Sequence, residues 1–298
     1  MKYTKSPLSI DDQIARLKSR GLVINDEQKA RHYLSNISYY RLRAYTYPFQ
    51  DNADPDHPFV QDVSFSEIIE LYVFDRRLRV LLFGALEKIE IALRTKIINY
   101  FSLTYGSHWF EDMSLYRNQK FYISNMKSLN EEIKRSDETF IKHYYNKYYN
   151  PVNPPAWMTL EVISFGLLSK LYKNLKKVNE KQQIAKYFGI NQVKIMESWV
   201  HAFAALRNIC AHHGRIWNRR FTIKPTLPYK TDYSFIQNRN ILDYKIYALL
   251  CCLVYCLRVI SPGCSFPSDI KDLLRNNTRI DLKTMGFTSD WQSEPIWQ

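Results

Sequence analysis

Glycine is scarce in this chain, with eight residues in 298. There is no P-loop and no G-x-G-x-x-G turn, which excludes the common glycine-dependent phosphate sites. Cysteine is sparse and odd in number: Cys210, Cys251, Cys252, Cys256 and Cys264, with no paired C-x-x-C units. That argues against a disulfide framework or a finger-type zinc site and fits a reducing compartment. Long apolar runs are missing as well. Ile246–Leu257 lies between Lys245 and Arg258 and holds only twelve residues, whereas a membrane-spanning helix needs roughly 20. The opening MKYTKSPLSIDDQIARL lacks the apolar centre of a signal peptide. The expectation is a cytoplasmic protein with no membrane partner, no metal and no cofactor. Acidic residues are outnumbered, 29 against 42 Lys and Arg, which leaves a formal charge of +13. A polyanionic partner follows.

What is abundant is helical periodicity and aromatic side chains. Tyrosine alone contributes 22 residues, and tyrosine mixed with lysine and arginine suits single-stranded RNA, held by stacking and phosphate contacts. The competing reading is half-buried core tyrosines with wet hydroxyls. Residues 8–20 and Asp26–Leu34 read as short helices, and Pro48–Val63 as a loop. Ser64 and Glu67 form a capping-box pattern. It opens a long helix to about Phe101, with Ile68, Leu71, Tyr72, Leu78, Leu82, Leu86, Ile89, Leu93 and Ile97 at helical spacing. Tyr116–Tyr149 reads as mostly helix, the prolines at 151–155 as a break, and Trp157–Leu175 and Glu180–Tyr187 as helices. Asn191 is expected to cap a helix over 193–217. Helices at 241–260 and 267–275 and a loose tail follow. Three regions are expected: an N-terminal extension at 1–63, a helical core at 64–260 with a tyrosine- and lysine-rich insertion near 104–150, and a tail at 261–298.

The densest chemistry is RNICAHHGRIWNRR, from Arg207. An arginine and a histidine together can cleave RNA without a metal: the histidine moves a proton, and the arginine neutralises a phosphate whose charge grows in the transition state. On a regular helix Asn208, His212, Arg215 and Arg219 form one stripe, with Arg207 about 140° from His212. Gly214 permits a local distortion. A solvated basic helix end, favoured by the C-terminal dipole, accounts for the same spacing. A zinc site from Cys210, His212 and His213 lacks a second ligand pair, and a Cys210 nucleophile faces away from His212.

The pattern R-N-x-x-x-H, Arg207-Asn208 to His212, resembles the catalytic motif of HEPN ribonucleases. The wider chain is similar to the Abi-like (Abi_2, abortive infection) family through YYRLRAY at 39–45, FDRRLRVLLFGALEKIEIALRT at 74–95, FIKHYYNKYY at 140–149, PPAWMTLEVISFGLLSKLYKNL at 154–175, LRNICAHHGRIWNRR at 206–220 and MGFTSDWQSEPIW at 285–297. The resemblance implies an all-α, HEPN-like bundle with additional N- and C-terminal helices. It also implies an endoribonuclease of phage defence, toxin-like, that leaves 2′,3′-cyclic phosphate ends. Arg207 would bind the scissile phosphate, His212 act as base or acid, and Asn208 orient them, with His213, Arg215, Glu90 and Arg94 in support. Such sites are composite, so one motif per chain implies a homodimer, and a small regulatory RNA is a further expected partner. Tyr39, Tyr40, Arg41, Arg43, Lys142, Tyr144, Tyr145, Lys147 and Arg219 are the expected RNA contacts. The alternative is a non-catalytic RNA-binding or dimerisation module on the same scaffold. A membrane-surface protein lacks the amphipathic lysine-rich helix it would need.

Overall fold

A computed structural model describes Lys2, residues 6–176 and residues 178–298. Among them are twelve α-helices and no strand, so the chain is all-α. It divides into two compact units, residues 1–78 and 79–298.

In the first unit, α1 (Ile10–Ser19) starts with a reciprocal box. Ser9 Oγ accepts from the Asp12 N–H, and the Asp12 carboxylate accepts from the Ser9 N–H. Asp26 caps α2 (Glu27–Asn36) and Ser38 caps α3 (Tyr39–Thr46). Each cap satisfies an amide that would otherwise be left without a partner. The tract at 58–65 runs alongside residues 20–23 through isolated backbone bonds, Phe59 N–H to Arg20 C=O and Phe65 N–H to Val23 C=O. The helix α4 (Phe65–Tyr105) opens on the expected capping box: Glu67 accepts the Ser64 N–H at 2.8 Å, and Ser64 Oγ accepts the Glu67 N–H at 3.2 Å. Tyr45 donates its hydroxyl to the buried Asp75 of α4 at 2.7 Å.

In the second unit, Leu82, Leu86, Ile89, Leu93 and Ile97 of α4 are fully buried, as their spacing requires. Each such side chain stabilises by roughly 1.5–3 kcal/mol. The helices α5 (Gln119–Lys134) and α6 (Thr139–Lys147) occupy the tyrosine-rich tract. Four more follow: α7 (Ala156–Val162), α8 (Phe165–Asn174), α9 (Asn179–Tyr187) and α10 (Val193–Ala211). The packing between α8 and α10 is the most extensive of any helix pair. The chain ends with α11 (Ile246–Ile260) and α12 (Phe266–Arg275). Ile246–Leu257 is wholly buried, so α11 is a core helix. None of the described helices is long and apolar enough to cross a membrane. Burial pushes the thiols of Cys251, Cys252 and Cys256 up, away from reactivity.

Five local expectations are corrected. The stretch 157–175 is two helices, because Ser164 turns its hydroxyl back to accept the Leu167 N–H and starts α8 anew. Asn191 does not cap α10; its amide donates to Asp232 at 2.8 Å, and Gln192 stands at the N-cap without a side-chain bond. The motif helix ends at Ala211 rather than 217. Residues 241–245 precede α11 as an irregular turn. The tail is not loose. Trp291, Ile296 and Trp297 are buried, the Trp297 ring stacks on Tyr247, and Arg258 donates to the carbonyls of Pro295, Ile296 and Gln298.

Candidate active site

The helix α10 is fixed by an apolar face. Val193, Met196, Val200, Phe203 and Leu206 are all buried, at the spacing expected of one helical stripe. The motif occupies its last turns, and the way the helix stops determines what those residues can do. His212 is the C-cap, with its N–H still bonded to Asn208 C=O at 3.0 Å. His213 then turns left-handed at φ 56°. The His213 N–H donates to Cys210 C=O at 3.0 Å, and the Gly214 N–H to Ile209 C=O at 2.8 Å. These paired bonds are the Schellman stop, with histidine where glycine is usual. Gly214 is required by space. A Cβ there would stand 2.9 Å from Ile209 Cγ2 and 3.2 Å from Ile209 O.

Beyond Gly214 the chain leaves the helix axis and buries Ile216 and Trp217. The expected stripe 208/212/215/219 is therefore broken. Asn208 and His212 share a face, being linked by a helical bond, and both are exposed. Arg215 and Arg219 belong to the following irregular segment. There Arg219 donates to Arg215 C=O at 3.2 Å, and the Arg215 guanidinium lies 5.8 Å from the Trp217 ring. Arg79 holds the turn by donating to Gly214 C=O at 3.4 Å.

Arg207 leaves α10 on another side, toward α4. Its Nε lies 3.7 Å from Glu90 Oε2, and its side chain is 32% exposed. The other Glu90 oxygen accepts from Arg94 at 2.8 Å, and Arg94 also donates to Ile163 C=O at 3.1 Å. Glu90 and Arg94, four apart on α4, form an ion pair that is nearly buried. Glu87 is exposed.

The break between α7 and α8 completes the surroundings, and sequence reasoning missed it. The Ile163 carbonyl is freed by the break and taken by Arg94. Ser164 is clamped from α5, donating its hydroxyl to Glu132 Oε1 at 3.0 Å and its N–H to Glu132 Oε2. Gly166, in the first turn of α8, lies beside Asn208: a Cβ built there would be 3.8 Å from Asn208 Nδ2. The available signal was Ser164 three positions before Leu167, an N-cap spacing inside an otherwise helical pattern.

The expected RNA contacts divide. Tyr40 is 80% exposed. Tyr39 is half-buried, its hydroxyl accepting from Arg20 at 2.9 Å. Arg41 is exposed, and Arg43 lies 3.1 Å from His57 Nε2. On α6, Lys142, Tyr145 and Lys147 are exposed, with Lys142 paired to Asp137 at 2.8 Å. Tyr144 is a core residue instead: it is buried and spends its hydroxyl on Pro151 C=O at 2.6 Å. Among the described residues no three His, Cys, Asp or Glu side chains are grouped to hold a metal ion.

No protein of curated function and no solved structure matches the chain. The Abi-like protein family model matches residues 32–218, more than half of it. That match takes in α4, the α7–α8 break and the whole R-N-x-x-x-H turn; the closing stretch 285–297 lies outside it. The chain belongs to the Abi-like family.

Proposed function

We propose that this protein is a metal-independent endoribonuclease acting in phage defence, with Arg207, Asn208 and His212 as its reacting set. One observation carries the reading. The Arg207 guanidinium is only loosely paired, at 3.7 Å, and partly exposed, one residue from an exposed Asn208/His212 face. A guanidinium so placed keeps donors available for a phosphate. Glu90 and Arg94 orient Arg207 without saturating it.

The chemistry is transesterification. The RNA 2′-oxygen attacks the adjacent phosphorus, the P–O5′ bond breaks, and a 2′,3′-cyclic phosphate and a free 5′-hydroxyl result. One proton leaves the 2′-hydroxyl and one must reach the 5′-oxygen. A single imidazole serves one of these transfers at a time. Arg207 and His212 leave α10 on different sides, about 140° apart by helical geometry. Two copies of the chain facing each other supply the second imidazole and bring one copy's Arg207 to the other's His212. The reading is therefore a homodimer with a composite site. The same divergence of Arg207 and His212 favours the alternative, a non-catalytic RNA-binding module, if no dimer forms.

The test is cleavage of a labelled RNA in excess EDTA, read together with oligomeric state by light scattering. A dimer that cleaves and leaves cyclic-phosphate ends is expected. A monomer whose activity stays proportional to concentration down to the nanomolar range contradicts the composite site.

A further inference from the structure

The solvent-facing stripe of α10 does not end at the motif. Counting back from the cap, His212, Asn208, Ala205, His201 and Lys194 recur at helical spacing and lie within about 60° of one another. Lys194, Asn208 and His212 are exposed, and Ala205 and His201 are half-buried. On the neighbouring helix, Gly166, Lys170 and Lys173 stand at i, i+4 and i+7 and share a face of α8, with both lysines exposed. Geometry registers these faces against each other. Gly166 borders Asn208, the two helices pack along their length, and Lys173 and His201 each lie seven residues from that contact; the lysines lower the His201 ring accordingly. The helices therefore run antiparallel here. Their rows lie side by side, with the motif at one end and three lysines farther along.

Among the described residues Lys170, Lys173 and Lys194 have no carboxylate at ion-pair distance. The carboxylate of this part of α10, Glu197, is buried and already shared by Lys181 at 2.5 Å and Arg117 at 2.7 Å. Past His201, Ser198 is tied to the 224–226 segment through the Thr226 N–H at 2.8 Å, and Lys224 there is paired with Asp243. Burial, then Lys173 and Lys170, hold the His201 ring below the ordinary histidine range. An anion laid along the row would relieve that repulsion.

We propose that the paired α8 and α10 rows form a phosphodiester-binding track in which Lys170, Lys173, His201 and Lys194 hold the RNA strand on one side of the cleavage point. This rests on RNA being the substrate. His201 lies seven residues before Asn208, about 10 Å along the axis, and Lys194 as far again. A dinucleotide spanning the cleaved bond does not reach the track, whereas a strand of several nucleotides does. The small side chain at Ala205 leaves the backbone room to pass between them. The track thus selects for length, and contributes nothing to the chemical step.

The experiment uses the full chain carrying Lys170→Glu and Lys173→Glu together, both exposed, with His201→Ala as a milder second variant. A fluorescent single-stranded RNA of twelve nucleotides and an RNA dinucleotide are the probes. Binding is read in the His212→Ala background, across salt, and cleavage in the otherwise wild-type background. The double variant is expected to bind the 12-mer at least about tenfold more weakly. Its salt slope should fall by about 1.4, at roughly 0.7 for each of two single-strand phosphates no longer neutralised. Dinucleotide cleavage should be unchanged. Unchanged 12-mer affinity and slope, with wild-type protein still cleaving RNA, overturns the track and leaves the ribonuclease reading intact. Loss of binding to anionic phosphatidylserine vesicles without loss of RNA binding also overturns it, assigning the lysine rows to a membrane surface. Wild-type protein that neither binds nor cleaves RNA removes both readings.

Discussion

Two carboxylates in the second unit are each shared by two cations, and they are built to opposite ends. Glu197 accepts from Lys181 at 2.5 Å and Arg117 at 2.7 Å; Lys181 is 0% exposed and also donates to Leu175 C=O. Glu90 accepts from Arg94 at 2.8 Å, but its second oxygen lies 3.7 Å from Arg207, which stays partly in solvent. The first cluster is closed. A buried charge without its partners is expensive, so Lys181, which has no exposed surface, is held by two acceptors, and the more exposed Arg117 still closes on Glu197 at hydrogen-bond distance. The second is half-open, with one arginine locked and the other steadied but able to turn to an anion. A shared carboxylate is therefore not by itself a sign of function. What separates the two is that Glu197 holds both of its cations at hydrogen-bond distance, whereas Arg207 stands 3.7 Å from Glu90, next in sequence to the exposed Asn208.

The comparison can be broken first at Arg207. Arg207→Ala is expected to slow RNA cleavage by about 10²–10³-fold, the effect of losing a preorganised donor to the phosphate, with the melting temperature nearly unchanged. Steady-state cleavage and a thermal scan check both halves. At the closed cluster the signs reverse. Lys181→Met should destabilise the fold by about 3 kcal/mol, toward the lower end for a broken buried pair because Arg117 remains on Glu197, and leave the cleavage rate per folded molecule intact. Denaturant unfolding measures it.

Smaller effects sharpen the contrast. Gly214→Ala should cost about 1–3 kcal/mol, since the new methyl meets Ile209 and must displace it. A drop in cleavage beyond the folded fraction would show that the Schellman stop also aims His212. His213→Ala should change cleavage less than His212→Ala, because His213 has turned left-handed past the helix. The smallest effect is a pH dependence. Burial lowers Lys181 to about 8, against the pull of Glu197 in the other direction. Between there and the ordinary lysine value the unfolded chain binds a proton the folded chain does not, so this residue's contribution to stability rises with pH through that window. Melting curves of wild type and Lys181→Met from pH 7 to 10 check this, and the wild-type slope should be the more positive above pH 8.

Local pattern made the helices legible. The Ser64–Glu67 box and the apolar spacing of α4 predict a helix found over 41 residues. Gly214 already marked the point where the motif helix could distort. What the pattern could not carry was pairing between distant segments. The Ser164 break is clamped by Glu132, 32 positions away, and used by Arg94, 69 positions from Ile163. Tyr144 looked like its exposed neighbour Tyr145 until its hydroxyl was found on Pro151. The aromatic run 291–297 read as a tail because its partners, Tyr247 and Arg258, lie in an earlier helix. Within the motif, helical spacing puts Asn208 and His212 on one face, as found, whereas the left-handed His213 ends the helix before that face can reach Arg215 and Arg219.

The most direct measurement is the rate at which wild-type and His212→Ala proteins cleave a fluorescent RNA in excess EDTA, with the 3′ ends of the products identified. Wild type should cleave and leave 2′,3′-cyclic phosphate, and the variant should be slower by about 10²–10⁴-fold, with the same melting temperature and the same RNA affinity. Equal rates for the two proteins, or wild-type cleavage that disappears in EDTA, would contradict the assignment of His212 as the proton-transferring group.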